Sequence, residues 1–209
     1  MTHATALLST TYFGPIQWYQ KLCRYDRVSI EQHESWQKQT FRNRCIIATT
    51  QGVQALTVPV SKAINGPQHS TLVAHFTISD HGNWRHLHWQ ALQSAYGESP
   101  FFEYYEDDLR PFFTEHNWEL LVDFNDAICR KMCELLDIHP HIERTTSFEP
   151  LGSADHDFRY TISPKHPQPD PDFNPLPYYQ VYARKHGFLP NLSILDLLMN
   201  MGPESIFYL

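Results

Sequence analysis

The chain of 209 residues holds only eight glycines, and they stand far apart. Neither a phosphate-cradling loop nor a Gly-x-Gly-x-x-Gly fingerprint can be written, because both cluster glycines where the backbone approaches a phosphate. Kinase and ordinary nucleotide-sugar dehydrogenase readings fall away. Gly-x-Ser-x-Gly and His-Glu-x-x-His are missing too, which removes the commonest serine-hydrolase and metalloprotease signatures. Cysteine is scarce: Cys23, Cys45, Cys129 and Cys133 form no Cys-x-x-Cys and no disulfide framework, so they read as buried thiols of a reducing compartment. Cys129 and Cys133 share a helical face, but the spacing matches no usual zinc pattern, and His86 and His88 would point to opposite sides of a helix. No metal is expected. Nothing approaches the roughly 18 consecutive apolar residues of a membrane span. Positive charge is also short, with a formal net charge of −7, which excludes the basic stripe that nucleic-acid binding requires. The N-terminal residues lack both a basic start and a long apolar segment, so a cytoplasmic protein is expected.

What is present is aromatic and globular, with 42% hydrophobic and 14% aromatic residues. Ala6 to Thr11 reads as a short strand, followed by a turn and a helix from Pro15 to about Tyr25 with Ile16, Tyr19, Leu22 and Cys23 on one face. Arg27 to Gln32 reads as a half-exposed strand. A hairpin is expected from residues 45–49 and 53–60, and a strand over Thr71 to Ser79. Between them, Ser61 to Ser70 is a polar loop with Asn65-Gly66-Pro67 as its turn. A helix from about Asn83 to Tyr96 carries Trp84, Leu87, His88, Ala91, Leu92, Ala95 and Tyr96 as its stripe. Phe101-Phe102-Glu103-Tyr104-Tyr105 reads as an aromatic knot, and a long helix leads to Leu136. Residues 139–177 are irregular, with six of the 15 prolines between Pro164 and Pro177. At the end, Ser193 as N-cap, Asp196 in the capping-box position and a Gly202-Pro203 stop specify a short apolar core helix over 193–200. The expectation is one α+β domain over 1–209, a mixed, mostly antiparallel sheet from residues 1–80 covered by helices from 83–136.

The densest chemistry lies between Glu31 and Cys45. If Phe41 to Ile47 is a strand, Arg42 and Arg44 stand roughly 7 Å apart on one side, a natural fork for a carboxylate or phosphate. The plainer alternative pairs them with nearby carboxylates, Glu31 and Glu34 among them. His88, on an apolar stripe, is either a neutral general base or a core histidine with one hydrogen bond. The turn Thr10 to Gly14, Tyr12 included, offers hydroxyls and backbone N–H groups at a helix start, or is an ordinary turn. Asp157 and Arg159 belong to a cluster that either orients proton transfer or serves its own loop. Cys45 or Cys23, with His33 or His88 beside it, is the candidate thiol nucleophile, and Asn43 can turn toward a cleft.

The pieces Tyr12-Phe-Gly-Pro-Ile-Gln-Trp-Tyr, Gln37-Lys-Gln-Thr-Phe-Arg-Asn-Arg, Leu56-Thr-Val-Pro-Val, His88-Trp89, Ser99-Pro-Phe-Phe, Asp157-Phe-Arg, Tyr179-Gln-Val-Tyr and Asn191-Leu-Ser-Ile-Leu-Asp-Leu-Leu run almost end to end. With them the chain resembles the WbqC-like proteins of bacteria, in a form similar to members from Bacteroidetes. It departs from distant relatives at Thr10-Thr11, where they carry Gln-Pro, and from close ones at Met199, where they usually have Phe. The resemblance implies a transferase of an acyl or aminoacyl group onto an amino sugar in surface-polysaccharide (O-antigen type) biosynthesis. In that role Arg42, Asn43, Arg44, Arg159 and Tyr12 bind substrate, and His88, Cys45 and Asp157 carry the chemistry. The partner is a small molecule, a nucleotide sugar or an acyl donor, free or on a carrier protein. No cofactor is assigned. Two alternatives stand beside it: a non-catalytic binding protein of the same pathway, and a thiol-dependent hydrolase.

Overall fold

The computed structural model describes residues 4–62 and 71–209, so the expected turn Asn65-Gly66-Pro67 lies outside the described residues. Strand β1, Thr5–Ser9, buries Ala6, Leu7 and Leu8 in succession, the mark of a strand covered on both faces. The chain turns through Thr10–Gly14 into helix α1, Ile16–Arg24, with Pro15 immediately before it. It returns as β2, Arg27–Glu31, parallel to β1 in the register Thr5 with Arg27 to Ser9 with Glu31. Antiparallel neighbours can share a two-residue turn, whereas parallel ones need a crossover, and α1 supplies it.

The hairpin follows as β3, Arg44–Thr49, and β4, Gly52–Thr57, antiparallel. Gly52, at a φ of 107°, makes the turn. Pro59 interrupts the extended chain, and β5, Val60–Lys62, pairs with β6, Phe76–Ile78. The strand expected over Thr71 to Ser79 is thus shorter, since residues 73–75 form a 3₁₀ turn whose Val73 and Ala74 N–H groups donate to the Glu34 and Gln32 carbonyls.

Helix α2, Trp84–Tyr96, buries Trp84, His88, Leu92, Ala95 and Tyr96, while Leu87 is exposed. Asn83 precedes it in a left-handed conformation and makes no side-chain cap. The aromatic segment is helical, as α3, Phe102–Leu109, and α4, Pro111–Thr114. Helix α5, Leu121–Leu135, buries Leu121, Phe124, Ile128 and Met132 as its spacing requires.

Within the segment read as irregular lie β7, Ile142–Arg144, and β8, His156–Asp157, both parallel to the first strands. The principal sheet is therefore four parallel strands in the order β7-β2-β1-β8. This corrects the expectation of a mostly antiparallel sheet: antiparallel pairing among the described strands is confined to the two small pairs. Two of the four parallel strands are three and two residues long, too short to show any alternation, and their partners are more than 100 residues away.

After the short helix α6, Ala183–His186, the chain ends in α7, Ile194–Met201, whose residues 194–200 are all buried. Ser193 Oγ accepts from the Leu195 N–H, as an N-cap does. The reciprocal capping-box bond does not form, because the Ser193 N–H donates to the Ile46 carbonyl. The Asp196 carboxylate instead accepts from Tyr96 OH at 2.9 Å, Tyr178 OH at 2.6 Å and Gln180 Nε2 at 3.1 Å, tying α2 and the 178–180 segment to α7.

Candidate functional site

Because the four main strands run the same way, their carboxyl ends meet at one edge, the place where open parallel sheets hold ligands. Ser9, Glu31, Arg144 and Asp157 end the strands there. The crevice between β1 and β8 forms a cavity of about 240 Å³, walled by Ser9–Thr11, Trp18, Gln37, Thr40–Arg42, residues 158–160 and the 162–168 stretch with His166. A second cavity, also about 240 Å³, lies between α5 and the β1-β2-β7 side and shares Thr10, Thr11 and Trp18 with the first. Trp18 is fixed at the edge by its Nε1–H, which donates to the Ser9 carbonyl at 3.0 Å.

The first cavity is walled by two buried guanidiniums. Arg42 lies in the turn before β3, and its Nε and Nη2 donate to Glu34 Oε1 at 2.9 Å and Ser9 Oγ at 3.1 Å. Arg159 forks onto Asp157, with Nε to Oδ1 at 3.0 Å and Nη2 to Oδ2 at 2.6 Å. Its Nη1 donates to the Glu149 carbonyl at 2.8 Å and to Glu31 Oε2 at 3.3 Å. Glu31, fully buried, also accepts from the His33 N–H, the Thr145 hydroxyl and the Glu149 N–H at 2.7–2.9 Å. A buried carboxylate is tolerated only with such partners. Three carboxylates, Glu31, Glu34 and Asp157, thus face two guanidiniums, leaving one negative charge in excess.

Behind this cavity, Lys21 of α1 meets Asp170 at 2.7 Å, both inaccessible, and Gln17 Nε2 donates to the same carboxylate at 2.8 Å. Burial raises the Asp170 carboxyl, but the hydrogen bonds from Lys21 and Gln17 and the Lys21 charge outweigh it and hold the group below its ordinary value. Arg24 Nη1 adds a bond to the Asp172 carbonyl, so the Pro-rich segment that supplies the His166 wall is clamped to α1.

Of the residues singled out from sequence, Arg42, Asp157 and Arg159 come together here. Arg44 does not join Arg42. Its Nε donates to Thr57 Oγ1 across the β3–β4 pair, because the strand starts at Arg44 and the face shared with Arg42 does not exist. Asn43 Nδ2 donates to the Val58 carbonyl at 2.7 Å. His88 lines neither cavity: its Nδ1 accepts from the buried Tyr12 hydroxyl at 2.9 Å, and its ring packs 5.0 Å from Trp84. Burial, opposed by a bond to the Thr57 backbone, pulls the imidazole down to about 4. Cys45 is buried beside Ser193, and burial pushes its thiol up to about 12.

Glu31, Glu34, Trp18, Asn125, Lys21 and Asp170 complete the site's surroundings. The two glutamates carried a signal as carboxylates close in sequence to the arginines, and Trp18 stands in the Tyr12 to Tyr19 piece; Asn125, Lys21 and Asp170 meet the edge through tertiary folding. Among the described residues no group of histidine, cysteine and acidic side chains has metal-binding geometry, and no helix is long and apolar enough to cross a membrane.

Comparison with known proteins bears on this geometry. The sequence profile of the WbqC-like protein family matches residues 10–166, a span that includes Arg42, Asp157 and Arg159 and ends at His166. Uncharacterized protein Rv1507c of Mycobacterium tuberculosis is 26% identical over 226 residues, covering 98% of this chain and 96% of that protein. No solved structure matches.

Proposed function

This chain belongs to the WbqC-like protein family, and on that premise we propose that it is a cytoplasmic, single-domain transferase placing an acyl or aminoacyl group on an amino sugar in surface-polysaccharide biosynthesis. The observation that carries the reading is the first cavity at the strand ends, dense in hydroxyls, amides and arginine–carboxylate pairs. Its guanidiniums are already neutralised by Glu34, Glu31 and Asp157, so it suits a polyhydroxylated amine better than a bare phosphate. At about 240 Å³ it falls below the roughly 300 Å³ at which sites for larger ligands begin, so it takes one sugar ring and leaves any nucleotide outside.

In this reading Arg42 and Arg159 position the sugar hydroxyls, with Asp157 acting through Arg159, and His166, the one histidine lining the cavity, accepts the amine proton. The amine nitrogen attacks the acyl carbon of an activated donor. The C–N bond forms, the donor's leaving group departs with its electron pair, and the amine gives up one proton. The donor is a small acyl or aminoacyl compound, free or on a carrier protein. Tyr12, His88, Asn43, Arg44 and Cys45 build the scaffold around the edge. Burial pushes the Cys45 thiol up to about 12 and the Cys23 thiol up to about 11, and neither lines the two cavities, which gives a thiol-dependent hydrolase no support.

A non-catalytic binding role is favoured by one observation: every guanidinium of the cavity is held by protein carboxylates. Turnover separates the two. Purified protein mixed with acyl donors and a panel of nucleotide-activated amino sugars is expected to give an acylated product by mass spectrometry, with the rate about 100-fold lower in His166→Gln. Saturable sugar binding without product in any mixture contradicts the transferase and leaves the binding role.

A further inference from the structure

The second cavity has its own chemistry. Its floor is apolar, made by Trp18, Ile30, Cys129 and Ile142. Asn125, also lining it, donates through Nδ2 to Thr10 Oγ1 at 3.0 Å and to the Arg42 carbonyl at 2.8 Å, while its Oδ1, in a side chain almost wholly buried, has no donor among the described residues. An orphaned buried acceptor calls for a partner. At the mouth, Arg144 is already joined to Asp123 and Asp126 at 2.7 and 2.6 Å. Arg130 makes no hydrogen bond or ion pair among the described residues, and Glu143 holds only the Ser29 hydroxyl at 3.4 Å. Arg130, whose charge reaches Asp126 without a hydrogen bond, and Glu143 are therefore, among the described residues, one group of each sign without a close ion pair over an apolar floor, beside an acceptor with no donor.

We propose that this cavity binds an α-amino acid with an apolar side chain. The side chain lies on Ile30, Ile142 and Trp18, the carboxylate meets Arg130, and the ammonium donates to Asn125 Oδ1 and toward Glu143. A simple carboxylic acid would leave the acceptor and Glu143 unmet, and a simple amine would leave Arg130 unmet. Because Thr10, Thr11 and Trp18 belong to both cavities, the amino acid sits beside the ligand of the first. The assignment rests on the cavity alone: a free carboxylate held by Arg130 has no leaving group, so the amino acid is a ligand beside the first cavity and not its acyl donor.

Calorimetric titration of the full chain with L-leucine, isovalerate and isopentylamine tests it, with glucosamine titrated in parallel as a probe of the first cavity. Leucine is expected to bind at least about tenfold tighter than either singly charged analogue, the effect of one charge-assisted contact. Arg130→Ala, an exposed change, is expected to weaken leucine about tenfold and leave isopentylamine unchanged. Ile142→Trp, filling the cavity, is expected to abolish leucine binding while glucosamine still binds. Failure of leucine to bind the wild type, equal binding of all three compounds, or undiminished binding to both variants overturns the assignment. Glucosamine binding without leucine binding sinks the amino-acid site alone, whereas leucine binding without glucosamine sinks the sugar reading of the first cavity.

Discussion

Arg42 and Arg44, two residues apart, have different surroundings and should have different worth. Arg42 is buried with Glu34, so truncating it strands a buried carboxylate, while Arg44 is half-exposed and holds one hydroxyl. Arg42→Ala is expected to lower unfolding free energy by about 3–5 kcal/mol in urea titrations. Arg44→Ala should lose roughly 1 kcal/mol. Equal losses would contradict the different roles. His88 titrates in a way its position explains. Burial holds the folded imidazole down to about 4, against an ordinary value near 6.5, so the unfolded chain binds the proton first. The stabilisation is full above pH 6.5, is lost as pH falls through 4, and levels off below, a total on the order of 3 kcal/mol. Urea midpoints from pH 7 to 4 should show this slope in the wild type and a shallower one in His88→Gln; identical slopes would exclude His88 as the source.

The helix α7 shows how far element-level patterns carry. Ser193, the apolar run and the Gly202 stop place the helix from sequence, since each acts locally. Asp196 looked like half of a capping box and is a buried anchor for two tyrosines, because long-range partners outcompeted the local one. At Gly202 the backbone, φ 54° and ψ −129°, lies where side chains are strained, and an added Cβ would meet the Phe101 ring at 2.5 Å. Gly202→Ala is expected to cost about 1–3 kcal/mol, which for a chain of this size lowers the melting temperature by several degrees. An unchanged melt would mean that the helix end relaxes freely. Helices α2 and α5 were legible by their period, as α7 was by its local start and stop, whereas β7 and β8 were not, since two or three residues carry no period and parallel pairing is decided by distant chain.

For the molecule as a whole, the misread direction of the sheet also hid the strand-end edge at which several of the candidate residues meet. The β1-α1-β2 succession already implied a parallel pair, but the hairpin signals over residues 45–60 suggested one antiparallel sheet and drew attention to the Arg42/Arg44 face. A parallel sheet places its ligand edge at the strand ends, at Ser9–Thr11 and Asp157–Arg159, and the arginines that matter there come from a turn and from the segment after β8. Arg42, Asp157 and Arg159 could be named from residue type, whereas their meeting around Glu31 and Glu34 could not. The central claim is that this edge is the ligand site. Hydrogen–deuterium exchange of the intact chain with and without saturating glucosamine tests it most directly, since a bound ligand suppresses local opening. Slowed exchange at residues 9–11, 37–42 and 158–168 is predicted, with the β3–β4 turn unchanged. Binding with protection elsewhere and none at these segments would contradict it.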